Sequence, residues 1–218
     1  MYFFLELCVL TITFVLYWCH RGRRQHLKQR IGSQALTNIY EVARNVSFML
    51  SKKDLIVRGD TALPHSGCIL YSIHFGIWEL MPYALRKMGY NLGIIVNKYS
   101  GDKSGLITRL LDLFLFNFRS RGGVRIFYKD DTMRIINFVR SGGLLGVLVD
   151  GDMFYSKFEK IKKLGRLCHV PVIPFAAYRS GKTGILTIGC SIDAVVETRP
   201  LDYLWFYRSR TTNNSIRT

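Results

Sequence analysis

The sequence predicts an α/β layered fold, with a central, mostly parallel sheet flanked by helices and one N-terminal membrane helix. Three observations carry that expectation. Short apolar runs of strand length alternate with longer amphipathic stretches. Several of the runs are apolar at nearly every position, as in strands covered on both faces. Polar, chemistry-bearing residues fall just after those runs, where open α/β sheets place their sites. The chain has 218 residues, enough for one catalytic-sized domain plus a short appendage.

The elements follow in order. Residues 31–50 (IGSQALTNIYEVARNVSFML) are amphipathic and helical in pattern. Cys68–Ile73 (CILYSI) is a buried strand bounded by Gly67 and His74, and Trp78–Met88 is a helix ended near Gly89. Leu92–Val96 is a second strand. Leu106–Phe118 (LITRLLDLFLFNF) is a very apolar helix, and Val124–Phe127 a short strand. Asp130 or Asp131 caps the next helix, which runs to Arg140 and stops at Ser141-Gly142-Gly143. Leu144–Val149 (LLGVLV) is an apolar strand leading into Asp150-Gly151-Asp152. Lys157–Leu167 is a helix, and Val172–Tyr178 and Gly184–Ile188 are strands. There is no internal repeat, low-complexity tract or Pro/Gly linker, so residues 20–218 form one domain behind an N-terminal segment 1–19.

That segment carries an apolar run, Tyr2–Trp18 (YFFLELCVLTITFVLYW), with Glu6 as its one charge. As a helix it covers roughly 26 Å, slightly short of a bilayer core. A cleaved signal peptide is disfavoured: no Lys or Arg precedes the run and no small-x-small site follows it. Arg21, Arg23, Arg24, Lys28 and Arg30 come next instead. Positive residues stay on the cytoplasmic side, so a cytosol-facing domain behind a membrane anchor is expected. The same cluster suits an anionic membrane surface, and Tyr2, Tyr17 and Trp18 suit interfacial positions.

Composition narrows the partners. Hydrophobic residues make up 49% of the chain and the formal net charge is +16. Such a surface seeks polyanions. Nucleic acid is not expected, because no helix-turn-helix signature, zinc site or aromatic-basic alternation accompanies the charge. The five cysteines (Cys8, Cys19, Cys68, Cys168, Cys190) include no C-x-x-C pair, which argues against a disulfide framework and a zinc site.

The chemistry-bearing segment is Ser72-Ile73-His74-Phe75-Gly76-Ile77-Trp78-Glu79. On one continuous α-helix His74 and Glu79 would lie about 140° apart and could not pair. They can pair if His74 sits in the loop after a strand and Glu79 in the first helical turn, with Gly76 allowing a tight bend. Glu79 would then fix the imidazole tautomer, and His74 could take a proton from an attacking hydroxyl. The acceptor supplies its own nucleophile, so no serine or cysteine is required. A structural histidine near a strand end, with a chance spacing to Glu79, is the alternative.

His74-Phe75-x-x-x-Glu79-Leu80 resembles the His-x4-Asp/Glu motif of the lysophospholipid acyltransferase superfamily. The glutamate and the flanking Phe and Leu are similar to the bacterial lipid A biosynthesis lauroyl/myristoyl acyltransferase family. Further stretches resemble that family in order: Ala43-Arg44-Asn45, the block from Asp130 to Asp152, Val170-Pro171-Val172-Ile173-Pro174-Phe175 with Arg179, and Arg199-Pro200-Leu201-Asp202-Tyr203-Leu204-Trp205-Phe206-Tyr207-Arg208. The resemblance spans nearly the whole chain. It implies a layered acyltransferase fold, with His74 as general base and Glu79 as its orienting partner. It also implies a basic residue after the third strand that steadies donor phosphate or oxyanion. The family usually has Arg there; this chain has Lys129, with Arg125 nearby. Asp150, Asp152 and Trp78 would line the substrate cleft. Two departures stand out: family members are longer, and the stretch from Asp152 to Pro171 is short and basic here.

The function expected from this resemblance is transfer of a fatty acyl chain from acyl carrier protein or coenzyme A onto a hydroxyl of a membrane lipid. A lipid A precursor or other glycolipid comes ahead of a lysophospholipid as acceptor. No metal, cofactor or covalent enzyme intermediate is implied. The rival expectation is a catalytically degenerate membrane-surface protein that binds anionic lipid or a partner. The basic stretch Lys157–Arg166 is explained equally by a solvated face and by docking of an acidic carrier protein or anionic membrane. Leu106–Phe118 is either core or part of an acyl-chain groove.

Overall fold

The computed structural model describes residues 34–51, 55–59, 63–96, 113, 116–117, 119–149 and 154–203. Among them are five α-helices and seven strands. The order is α1 (Gln34–Leu50), β1 (Leu55–Gly59), β2 (Cys68–Ser72), a 3-10 turn (Trp78–Leu80) running into α2 (Met81–Lys87), then β3 (Leu92–Val96). A 3-10 turn (Arg121–Gly123), β4 (Arg125–Tyr128), α3 (Thr132–Arg140), β5 (Leu144–Leu148) and α4 (Phe154–Cys168) follow. The described chain ends with β6 (Val172–Ser180), β7 (Thr183–Ile188), α5 (Ile192–Thr198) and a 3-10 turn (Pro200–Asp202).

The strands form one sheet in the order β1-β7-β6-β2-β5-β3-β4. Five neighbouring strands, β6 to β4, run parallel; β7 turns back antiparallel on β6 and β1 pairs parallel with β7. The expectation of an α/β fold with a mostly parallel sheet flanked by helices is met.

The pleat explains why the strands are apolar throughout. Alternate side chains point to opposite faces, and both faces are covered. Cys68, Leu70, Leu144, Phe175 and Ala177 enter one core with Phe48 of α1 and Met81, Ala84 and Leu85 of α2. Their strand neighbours Ile69, Leu145 and Ala176 enter a second core with Ile135, Ile136, Phe138 and Val139 of α3 and Ile161 and Cys168 of α4. Two hydrophobic cores thus sandwich the sheet between helical layers.

Most expected elements recur within a residue or two. Two differences have local causes. The helix expected from Trp78 begins as a 3-10 turn and becomes α-helical at Met81, with Pro82 in its first turn, where a missing N–H does no harm. Asp131 occupies the N-cap of α3, but its carboxylate accepts from the Tyr128 N–H (2.9 Å) and from Arg134 (3.2 Å) rather than from a helix N–H. Two elements were not expected: β1, an edge strand paired only with β7, and the short α5, whose N-cap Ser191 accepts from the Ala194 N–H (3.3 Å). Tyr2–Trp18 and most of Leu106–Phe118 lie outside the described residues. Among the described residues, no helix is long and apolar enough to cross a membrane.

Leu70 is 0% exposed at the centre of the sheet. Leu70→Ala should destabilise the domain by about 2–5 kcal/mol. The shift in urea midpoint at unchanged slope measures it; a change under about 0.5 kcal/mol, typical of surface sites, would contradict the placement.

Candidate active site

β2 is the middle strand, and its carboxyl end is a topological switch point. From β2 the chain crosses to β3 by way of α2, which packs in the first core. From the adjacent β5 it crosses the other way to β6 by way of α4, in the second core. Diverging crossovers on opposite faces leave a crevice outside the strand ends. His74 sits at its edge, two residues past Ser72, whose carbonyl accepts from the Val149 N–H (2.9 Å) at the end of β5.

The loop carrying His74 is fixed by its backbone. Phe75 N–H donates to the Ile73 carbonyl (2.7 Å), Gly76 N–H to Asp202 (2.9 Å) and Ile77 N–H to Ala177 of β6 (2.8 Å). Gly76 has φ +58°, and a Cβ there would lie 2.3 Å from the Ala177 carbonyl oxygen. Only glycine fits: the chain turns left-handed while touching β6. Phe75 and Ile77, both buried, anchor the loop on either side, in opposite cores.

His74 is half-buried, and its ring packs edge-on against Trp78, with centroids 5.1 Å apart and planes at 73°. The Trp78 indole Nε1 is buried and has no hydrogen-bond partner among the described residues. A buried donor of this kind can serve a bound acceptor atom. Glu79 follows in the 3-10 turn, as the loop-then-helix reading requires. Its carboxylate is gripped by Arg119 through a forked pair: Nε reaches Oε2 at 2.9 Å and Oε1 at 3.1 Å, while an Nη atom also contacts Oε1. Both side chains are largely buried, Arg119 at 15% and Glu79 at 11% exposure. Among the described residues these are the carboxylate's bonds, so Arg119, rather than His74, fixes its position.

A second wall comes from the far end of the chain. Phe75 bridges Tyr203, and the turn Pro200–Asp202 is stitched to α1. Asn38 Nδ2 donates to the Leu201 (2.8 Å) and Tyr203 (3.1 Å) carbonyls, and Asn45 Nδ2 donates to Asp202 Oδ1 (3.0 Å). Asp202, 5% exposed, also accepts from Arg199 Nε (2.6 Å). Arg199 donates onward to the Arg179 carbonyl (2.7 Å), and Arg179 pairs with Glu41 (2.8 Å). Residues 41 to 45 and 179 to 203, remote in sequence, thereby brace the loop that bears His74.

Of the sequence-derived site residues, His74 and Trp78 pack together, and Glu79 in the following turn bonds Arg119. Lys129 lies at the same end of the sheet, but just past the outermost strand and exposed. Arg125 does not approach His74: strand register sets it level with Gly93, hence with Leu145 and Ile69, near the opposite end. Its guanidinium lies over the Phe138 ring at 5.4 Å. Asp150 and Asp152 lie outside the described residues. Arg119 was missed; nothing in the sequence sets it apart from neighbours such as Arg121 and Arg125.

Among the described residues, no cysteine thiol is shown bonded to His74. Burial pushes the Cys68 thiol up to about 12, at the far end of β2, and also raises Cys190. No protein-family model matches the chain, and no curated protein matches its sequence.

Asp202→Ala should cost roughly 2–3 kcal/mol, because Asn45 and Arg199 each lose a partner. Thermal unfolding of the variant measures this, and an unchanged midpoint would contradict a bracing role. Cys68 should resist N-ethylmaleimide at pH 8 in the folded chain and react once urea unfolds it. Peptide mass mapping reads the difference; equal labelling in both states would contradict its burial.

Proposed function

We propose that this chain is a membrane-anchored acyltransferase of the lysophospholipid acyltransferase type. It takes a fatty acyl chain from a thioester on acyl carrier protein or coenzyme A and places it on a hydroxyl of a membrane lipid. A lipid A precursor or other glycolipid is the favoured acceptor. The observation that carries the reading is His74, held by a tight glycine bend at the switch point of a parallel sheet, with a largely buried, Arg119-bound Glu79 in the turn that follows. A structural histidine needs none of these arrangements. The resemblance in motif order to the lipid A acyltransferases supports the same reading, and Tyr2–Trp18 with its following arginines supports a cytosol-facing anchor in the inner membrane.

The chemistry follows from these groups. His74 accepts the proton of the acceptor hydroxyl as its oxygen attacks the thioester carbonyl carbon. The tetrahedral intermediate collapses, the carbon–sulfur bond breaks, and the departing thiolate takes the proton back from the imidazolium. Glu79 is the orienting carboxylate of this reading, and Arg119 keeps it in place. The Trp78 N–H is the donor available to the developing oxyanion or to the acceptor. The exposed cations of the surface draw the domain to anionic lipid.

The test offers labelled acyl-carrier-protein and acyl-coenzyme A donors, with a mixed bacterial lipid extract, to the full chain in detergent. A labelled lipid should form, and His74→Ala should slow its formation by about 10²–10⁴-fold, the range for loss of a general base. Equal activity in the variant would remove His74 from the mechanism. No product from either donor, with the protein folded, would favour the degenerate membrane-binding protein.

A further inference from the structure

At the end of the sheet opposite His74, α4 and the start of β6 enclose an open groove of about 590 Å³, lined by Lys162, Gly165, Arg166, His169, Val170 and Val172. Val172 is in register with Ile69, five positions before His74. At about 3.3 Å per strand residue, the groove lies roughly 16 Å from His74 along the sheet. It is a separate place, with its own chemistry.

Lys162, Gly165, Arg166 and His169 fall at helical spacings of i, i+3, i+4 and i+7, so they share one face of α4 and its end. Gly165 sets the groove's floor: a Cβ there would lie 2.5 Å from Val172 Cγ2, so glycine lets the helix seat on β6 and leaves space above it. Lys162 is held nearby by Glu159 (3.0 Å) and stands over the Phe158 ring at 4.5 Å. Arg166 and His169 are exposed, and neither side chain has an ion-pair or hydrogen-bond partner among the described residues. Arg140 of α3 adds a fourth basic group at the helix end, donating to the Leu167 carbonyl (2.8 Å).

His169 supplies the second observation. It closes α4 in the left-handed region at φ +57°, the only non-glycine residue with positive φ among those described. Its N–H bonds the Arg166 carbonyl (3.2 Å) and the Val170 N–H bonds Gly165 (3.0 Å), the closing pattern that glycine normally serves. Capping alone would be better met by glycine, without the Cβ penalty. An imidazole at this left-handed position, beside an unpaired guanidinium and a lysine, points to a ligand.

We propose that this groove is a binding site for a phosphate group, gripped by Arg166 and His169 with Lys162 behind them. Arginine's fork matches phosphate oxygens in geometry as well as charge. Two sources share that chemistry: the headgroup of an anionic phospholipid and a soluble phosphate.

The experiment uses the full chain in maltoside micelles and follows the His169 imidazole resonances by NMR. Inorganic phosphate is titrated against chloride at constant ionic strength. In parallel, the micelles are doped with phosphatidylglycerol or with phosphatidylcholine. A saturable shift with phosphate, absent with chloride, is expected. Arg166→Gln should weaken binding about tenfold, as expected when a charge-assisted hydrogen bond is lost. A shift with phosphatidylglycerol but not phosphatidylcholine assigns the lipid headgroup as source; a shift with inorganic phosphate alone assigns the soluble anion. His169→Gly separates binding from capping: it should raise the melting temperature while weakening phosphate binding measured by calorimetry. Unmoved resonances under both titrations, or unchanged affinity in Arg166→Gln and His169→Gly, would overturn the site and leave the cations as complements to the helix C-terminus.

Discussion

The bend at Gly76 is the constraint on which the candidate site depends. After β2 the chain must clear the sheet and enter a helix, and it does so by touching β6 so closely that no side chain fits. Two backbone N–H groups on either side of that contact, at Gly76 and Ile77, are satisfied by Asp202 and Ala177. This ties the loop both to a parallel neighbour of β2 and to the last described turn of the chain. His74 therefore does not hang on a flexible connection. Its backbone is fixed by the same hydrogen bonds that hold the sheet's flank together, and positional precision of this kind is what proton transfer requires.

The charges around the site are arranged to serve geometry more than stability. A buried ion pair such as Glu79–Arg119 contributes little net folding energy, because desolvation offsets attraction. Its effect is to give a carboxylate one place to be. The Glu41–Arg179 and Arg199–Asp202 pairs act similarly further out, locking α1, β6 and the last turn into one frame. The basic groove at the opposite end differs: Arg166 and His169 are exposed there. Strand polarity thus separates a preorganised end from a receptive one.

Much of the sheet was legible in the sequence because strands covered on both faces are apolar without interruption. Leu92–Val96 matched its expected limits, and β2 and β5 differed by a single residue. β1 was not legible: its five residues, Leu-Ile-Val-Arg-Gly, make a strand only because β7, more than a hundred positions later, offers an edge. At the site, His74, Glu79 and the Gly76 bend could be read from spacing and from the need for a left-handed turn. Arg119 could not, since nothing local distinguishes it from the many other basic residues of a +16 chain. Arg125 looked suitable by proximity to Lys129 in sequence, yet β4 carries it to the wrong end of the sheet. One-dimensional proximity is a poor guide along an extended strand, where a few residues span the thickness of the domain.

The most direct test of the account is a double-mutant cycle on Glu79 and Arg119, read as acyl-transfer rate with acyl-carrier-protein donor. If Arg119 acts by holding Glu79, then Glu79→Gln, Arg119→Gln and the double variant should lose rate to a similar extent, because the second change removes nothing that the first has left. Losses that add, or full activity in both single variants, would contradict the claim that this buried pair works as one unit behind His74.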